Sequence, residues 1–248
     1  MRILLANDDG IDAPGLALLA EAARLVSDDV WIVAPEEKRT AASSSLTIAR
    51  PLKMTRRAEK TYACSGTPAD CVIAAMAWLF KDGKRPDIVL GGVNDGRNTA
   101  EDIAYSGTLA IAREATFWGV PAVGFSRVKR PEVTETDPTW LSHLIARLVA
   151  ERDAWSIEGH WLSVNLPSRL AGAVAVQPAR FGRDKIGGFA EVVEEHGNET
   201  TIIFPRGRPH TVLEGDDNGL IDAGKLTINR LNWFGQTPLE EAFVETLL

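Results

Sequence analysis

Short apolar runs rich in β-branched residues recur through the first half of the chain, each followed by a longer stretch with helical apolar spacing. Residues 3–5, 30–33, 87–90 and 120–125 read as strands, and 16–26, 69–80 and 108–118 as helices. Strands alternating with helices predict βαβ crossovers. The expected fold class is therefore α/β, a mostly parallel sheet flanked by helices. Residues 140–151 predict a further helix and 161–165 a further strand, while 47–63 form a basic, strand-like excursion expected to be a hairpin.

Beyond residue 168 the pattern changes. Residues 173–176, 189–194, 200–204 and 225–229 read as strands, "EEHGNETT" as a hairpin turn and 239–247 as a short amphipathic helix. The division this predicts is an α/β catalytic core over 1–167 and a smaller β-rich region over 168–248. That second region is either an oligomerisation arm or a part of one integrated domain.

Composition narrows the class. The chain has 248 residues, 45% hydrophobic and 25% charged, enough for one substantial domain with or without an appendage. A formal net charge of −7 argues against a broad nucleic-acid-binding face. No apolar run is long enough to cross a bilayer, and the N-terminal stretch lacks signal-peptide character, so membrane partners are not expected. Cys64 and Cys71 lack metal-ligand spacing and read as reduced thiols of a cytoplasmic enzyme.

In an open parallel sheet, ligands bind beyond the carboxyl ends of the strands. The segments there are "NDDG", "APEEKRTAASSSLT" and "GGVNDGRNTAEDIAYSGT". Adjacent side chains of a continuing strand point to opposite faces, so Asp8 and Asp9 reach one point only if the chain turns, which Gly10 permits. Two carboxylates held together need a shared proton or a cation, and all-oxygen ligation suits Mg²⁺ or Mn²⁺. The alternative is an Asx-type turn that caps the following helix.

The glycine segment offers backbone amides at Gly92 and Gly96 for an anion, with Asn94 and Asn98 able to ligate a metal or bond a phosphate. It matches neither the dinucleotide fingerprint nor the P-loop, and an ordinary loop explains it too. "YSGT" opens a helix whose free amides suit a phosphate at Ser106, Gly107 and Thr108, or which Ser106 or Thr108 simply caps. "SGTPADCV" reads as structural, with Thr67 as N-cap and Pro68 in the first turn. Ser43, Ser44 and Ser45, preceded by Lys38 and Arg39, are either a lid over an anion or a solvated loop. His143, His160, His196 and His210 form no metal or triad pattern.

Taken in order, "ILLANDDGIDAPG", "VWIVAPEEKRTAASSSLT", "GTPADCV" and "PDIVLGGVNDGRNTAEDIAYSGT" resemble the SurE survival proteins, metal-dependent 5'/3'-nucleotidases. The match covers about residues 1–125; later only "SVNLP" stands out. The resemblance implies a Rossmann-like core, a homodimer or homotetramer with exchanged C-terminal elements, and phosphate release from nucleoside monophosphates. Polyphosphate is a further substrate class it allows. It also implies one divalent ion per subunit, on Asp8, Asp9, Thr40 and Asn94, with Asp9 doubling as candidate general base. Three residues depart from the family pattern: Thr40 stands for a serine, and Ala41 and Ala100 for glycines. Arg97 adds a guanidinium to the glycine segment.

Two carboxylates and one divalent ion sum to zero charge, so a phosphate dianion needs further help. Helix and loop amides would supply it, with Arg97 or Lys38 adding to them. A receiver-type domain would need a phospho-accepting aspartate after its third strand and a lysine after its fifth. Asp95 comes too late, and "GFSRV" offers arginine. A dehalogenase-type phosphatase needs DxD spacing, which adjacent Asp8 and Asp9 do not give. The non-enzyme alternative is a regulatory module that binds nucleotide without turnover.

Overall fold

The computed structural model describes residues 1–183, 189–204 and 213–235. In chain order the elements are β1 (Arg2–Ala6), α1 (Pro14–Arg24), β2 (Asp29–Pro35), β3 (Met54–Ala58), β4 (Thr61–Cys64), α2 (Pro68–Ala74), β5 (Ile88–Asp95), α3 (Asp102–Tyr105), α4 (Gly107–Phe117) and β6 (Ala122–Arg127). There follow α5 (Asp137–Ala150), α6 (Arg152–Trp155), β7 (His160–Leu166), β8 (Val176–Gln177), β9 (Glu191–His196), β10 (Glu199–Ile203), α7 (Asp217–Asp222) and β11 (Leu226–Asn232).

Period-two alternation in β1 divides the core in two. Ile3 and Leu5 join Leu16, Leu19, Leu141 and Ile145 of α1 and α5, while Leu4 and Ala6 join Val72, Ile111 and Ala115 of α2 and α4. One nine-stranded sheet lies between the layers, in the order β3-β4-β2-β1-β5-β6-β7-β11-β8. It is parallel from β4 to β7, and the antiparallel pairs are β3·β4 and β7·β11. From β1 the chain builds outward first on the β2 side, then from β5 on the other. The loops after β1 and β5 therefore diverge at the switch in strand order, the place where such sheets hold ligands.

The expected α/β class is observed, with three local differences. The strand expected to stop at residue 90 continues to Asp95, because a register break between Gly91 and Asn94 lets Asn94 and Asp95 pair with Ser126 and Arg127. The glycines read as a loop thus form a bulged strand end. The helix expected over 69–80 ends as α2 at Ala74 and continues as one π-helical turn, Ala75–Leu79. The strand expected over 173–176 is reduced to β8, two residues beside β11.

The C-terminal region is split in its placement. β11 and β8 extend the main sheet, whereas β9 and β10 form a separate antiparallel pair whose every residue is exposed. The helix expected over 239–247 and His210 lie outside the described residues.

Candidate active site

The first strand ends in a turn built by Asn7, whose side-chain amide donates to the Gly10 carbonyl at 2.8 Å and accepts from the Gly10 amide at 3.2 Å. Gly10 adopts φ +103°, a backbone angle an L side chain resists. Asp8 is 6% exposed, and one of its carboxylate oxygens accepts the Thr108 hydroxyl at 2.6 Å. Burial pushes its pKa up to about 6; the Thr108 hydroxyl counters this and the neighbouring Asp9 charge adds to it. Asp9 forms an ion pair with Lys38 and accepts the Asp95 amide at 2.8 Å, which ties the first strand's turn to the end of β5. The Asp9 hydrogen bond in turn raises the Lys38 pKa.

Helix α4 approaches from the other side. Ser106 caps it by accepting the Leu109 amide at 3.0 Å. The Gly107 and Thr108 amides, in the first turn of this 11-residue helix, have no acceptor among the described residues. A Cβ on Gly107 would stand 2.7 Å from the Asp8 Cβ and 3.0 Å from its carboxylate, so only glycine allows this approach. An anion-favouring helix end thus abuts a buried carboxylate.

Asn94 lies one residue before the amide that binds Asp9. Its side-chain nitrogen donates to the Gly96 carbonyl at 2.8 Å, its backbone carbonyl accepts the Gly96 amide at 3.0 Å, and its side-chain oxygen has no protein donor among the described residues. Thr40 is exposed and follows Arg39, whose amide donates to the Asp8 carbonyl at 2.7 Å. The serine-rich segment is fastened rather than loose: Ser43 bonds the Tyr105 and Ala104 carbonyls through its amide and hydroxyl, and Thr47 bonds Asp70 twice. Asp70 also completes the capping box of α2 with Thr67, so "SGTPAD" braces this segment.

Other expected residues are placed differently. The Arg97 guanidinium, considered for the anion, instead pairs with Asp222 at 2.7 Å and donates to the Asn218 side chain at 3.0 Å. Asn98 is buried, its side-chain nitrogen on the Ser126 hydroxyl at 2.7 Å and its backbone amide on Asn165 at 2.8 Å. Gly92 allows β5 to crowd β6: a Cβ there would stand 2.3 Å from the Phe125 carbonyl. The Thr108 hydroxyl orients Asp8, which leaves its amide for an anion. Both cysteines are free and buried.

One contribution escaped sequence reading. Helix α7 reaches back to the glycine segment, where Asp217 accepts the Ala100 amide at 2.8 Å and Asn218 accepts the Thr99 hydroxyl at 3.0 Å. The only local signal was the Asp-Asp-Asn run that caps α7 through Asp216.

The donor set fits a hard divalent ion. Asp8 and Asp9 supply adjacent carboxylates, the buried Asp8 with no ion pair among the described residues, Asn94 supplies an amide oxygen, and Gly107 leaves room beside Asp8. Among the described residues no cluster of three His, Cys, Asp or Glu side chains competes for a metal.

Residues 3–187 match the family model "Survival protein SurE". The chain is 38% identical to the 5'-nucleotidase SurE of Paramagnetospirillum magneticum, covering 98% of this chain and 96% of that protein. Over 127 residues it is 52% identical to the 5'-nucleotidase SurE of Methylorubrum populi, about half of either chain. The solved SurE protein from Aquifex aeolicus is similar throughout, with TM-score 0.77 and 28% identity over 100% of this chain and 98% of that one.

Proposed function

The chain belongs to the SurE survival protein family, and on that premise we propose that it is a metal-dependent 5'-nucleotidase that hydrolyses nucleoside monophosphates to nucleoside and phosphate. One divalent ion, Mg²⁺ or Mn²⁺, would be held by Asp8, Asp9, Asn94 and the Thr40 hydroxyl. Bound there, it supplies positive charge to the phosphoryl oxygens and lowers the pKa of water.

The observation that carries this reading is the buried Asp8 carboxylate set against the open amides of α4. The Gly107 and Thr108 amides hold phosphate oxygens at the positive helix end, the first charge a dianion needs beyond the metal. The Thr108 hydroxyl keeps Asp8 oriented. Asp9 borders the cleft that opens beside α1, so it is the carboxylate placed to accept a proton from the attacking water, with Lys38 balancing its charge. In-line attack on phosphorus then frees the nucleoside alcohol.

We extend the proposal to assembly and compartment. The exposed apolar residues of the β9–β10 arm, among them Val192, Val193, Ile202 and Ile203, are covered by a second copy in a homodimer or homotetramer. The free thiols suit the cytoplasm, and among the described residues no helix is long and apolar enough to cross a membrane.

Phosphate release from a panel of nucleoside monophosphates, with Mn²⁺ or Mg²⁺ and with EDTA, tests the reading. Asp8→Asn is expected to abolish metal-dependent release while its circular dichroism matches the parent. Parental turnover in that variant would overturn the metal assignment, and binding without release in the parent would favour a regulatory module.

A further inference from the structure

Among the described residues five buried side-chain polar atoms have no hydrogen-bond partner, and two of them, Arg39 Nε and Ser44 Oγ, belong to the segment that joins β2 to β3. Folded chains leave few such groups unmet, so each marks a bond the protein alone does not complete. This segment curls through left-handed angles at Ala41 (φ +57°) and Ser43 (φ +49°). Both of its ends are pinned to the site. The Arg39 amide holds the Asp8 carbonyl at 2.7 Å, and Ser43 holds the Ala104 and Tyr105 carbonyls, just before the Ser106 cap of α4.

The Arg39 guanidinium belongs to a closed ring of contacts with the first turn of α4. It donates to the Ser65 carbonyl at 3.0 Å. Three residues on, Pro68 crowds Gly107 from one side as Asp8 does from the other: a Cβ on Gly107 would stand 3.0 Å from the Pro68 ring and 2.7 Å from the Asp8 Cβ. Asp8 then returns to Arg39 through the backbone bond. The Gly107 and Thr108 amides, which have no acceptor among the described residues, belong to the same ring.

Other candidates for holding an anion here are already engaged. Lys38 pairs with Asp9, and Arg97 with Asp222, whereas half-buried Arg39 has no carboxylate partner among the described residues. Ser43 and Ser45 spend their hydroxyls on the Ala104 and Ala42 carbonyls, which leaves Ser44 as the serine of the run with an unused donor. A cationic N–H and a hydroxyl without acceptors, beside two open helix amides, match the oxygens of a phosphate dianion.

We propose that Arg39 and Ser44 are phosphate ligands of the reaction, the Arg39 Nε–H and the Ser44 hydroxyl donating to phosphoryl oxygens also held by the Gly107 and Thr108 amides. The proposal rests on the nucleotidase reading and adds two binding residues to its site. Titration calorimetry of inorganic phosphate on the Mn²⁺-loaded protein tests it in Arg39→Gln, Arg39→Lys and Ser44→Ala. Mn²⁺ affinity, melting temperature and AMP kinetics are measured beside it.

Arg39→Gln is expected to weaken phosphate binding at least about tenfold, the effect of losing a charged donor, and to lower kcat/KM for AMP at least as much. Arg39→Lys keeps the charge without the fork and is expected to recover part of that loss. Ser44→Ala is expected to cost about two- to tenfold in phosphate affinity while melting at or above the parent temperature, because its hydroxyl has no protein partner to lose. Mn²⁺ affinity is expected to stay within about twofold throughout. Unchanged phosphate affinity in either Arg39→Gln or Ser44→Ala would overturn the assignment of that residue, and Ser44→Ala decides alone if Arg39→Gln does not fold. Mn²⁺ affinity falling in step with phosphate affinity would overturn both, since the segment would then only brace Asp8. A parent that binds phosphate but releases none from nucleoside monophosphates would refute the nucleotidase reading, and the phosphate affinities would still decide the ligands.

Discussion

The carboxyl ends of β1 and β5 and the C-terminal region handle polar and apolar groups in opposite ways. At the first, buried charges find partners within the chain: Asp8 on Thr108, Asp9 on Lys38 and the Asp95 amide. Along β9 and β10, valines and isoleucines stand in solvent. Yet α7, from that same C-terminal region, buries Asp217 and Asn218 against the glycine segment. The dividing line is therefore not position along the chain. It separates elements that complete their contacts inside one subunit from a pair of strands that does not.

The largest expected effect falls on the closed side. Gly107→Ala places a methyl 2.7 Å from the Asp8 Cβ and 3.0 Å from the ring of Pro68, so either helix α4 or Asp8 must shift. Displacing a reacting group by about 1 Å costs on the order of 100-fold in rate. Phosphate release is expected to fall by about that factor, and Mn²⁺ is expected to raise the melting temperature less than in the parent. Parental kinetics would mean that α4 and Asp8 are not rigidly coupled, which breaks the contrast at its firmest point.

Asp217→Ala comes next and tests whether α7 belongs with the closed side. It strands the Ala100 and Gly182 amides without their buried acceptor, at a cost of about 2–3 kcal/mol measured by denaturant unfolding. If α7 positions the segment between Asn94 and Ser106, KM for AMP rises more than kcat falls, and Asp217→Asn recovers part of the loss. Equal stability with unchanged KM would place α7 with the exposed arm.

The legible part of this molecule was local or periodic. The alternation of strand and helix gave the α/β class, and the carboxyl-end rule brought "NDDG", the glycine segment and "YSGT" to one edge before any contact was known. The Thr67 cap and the turn at Gly10 also follow from near neighbours. What resisted reading was set by distant pairing. Lys38 on Asp9 joins two loops, and Thr99 with Asn218 spans nearly half of the chain. Arg97 looked like an anion ligand because nothing near it in sequence reveals Asp222. The bulge that draws Asn94 into β5 depends on β6, and glycines alone could not distinguish it from a loop.

The smallest effects concern backbone strain where this chain has alanine and the family pattern has glycine. Ala41 and Ala100 both adopt left-handed angles, φ +57° and +49°, which cost an L residue about 1–2 kcal/mol. Glycine removes that strain but loses about 0.5–1 kcal/mol through its freer unfolded chain. Ala41 is exposed, so Ala41→Gly gives up little packing and is expected to gain about 0.5–1 kcal/mol, raising the melting temperature by about 1–4 °C. Ala100 is only 6% exposed, and its methyl is lost from a packed site beneath α7, so Ala100→Gly is expected to be nearly neutral. Calorimetric melting of both variants sharpens the contrast. A clear loss at Ala100 with a gain at Ala41 would show that the C-terminal helix packs the glycine segment tightly enough to outweigh the strain it holds. Equal gains at both would leave that helix as a hydrogen-bonded tether only.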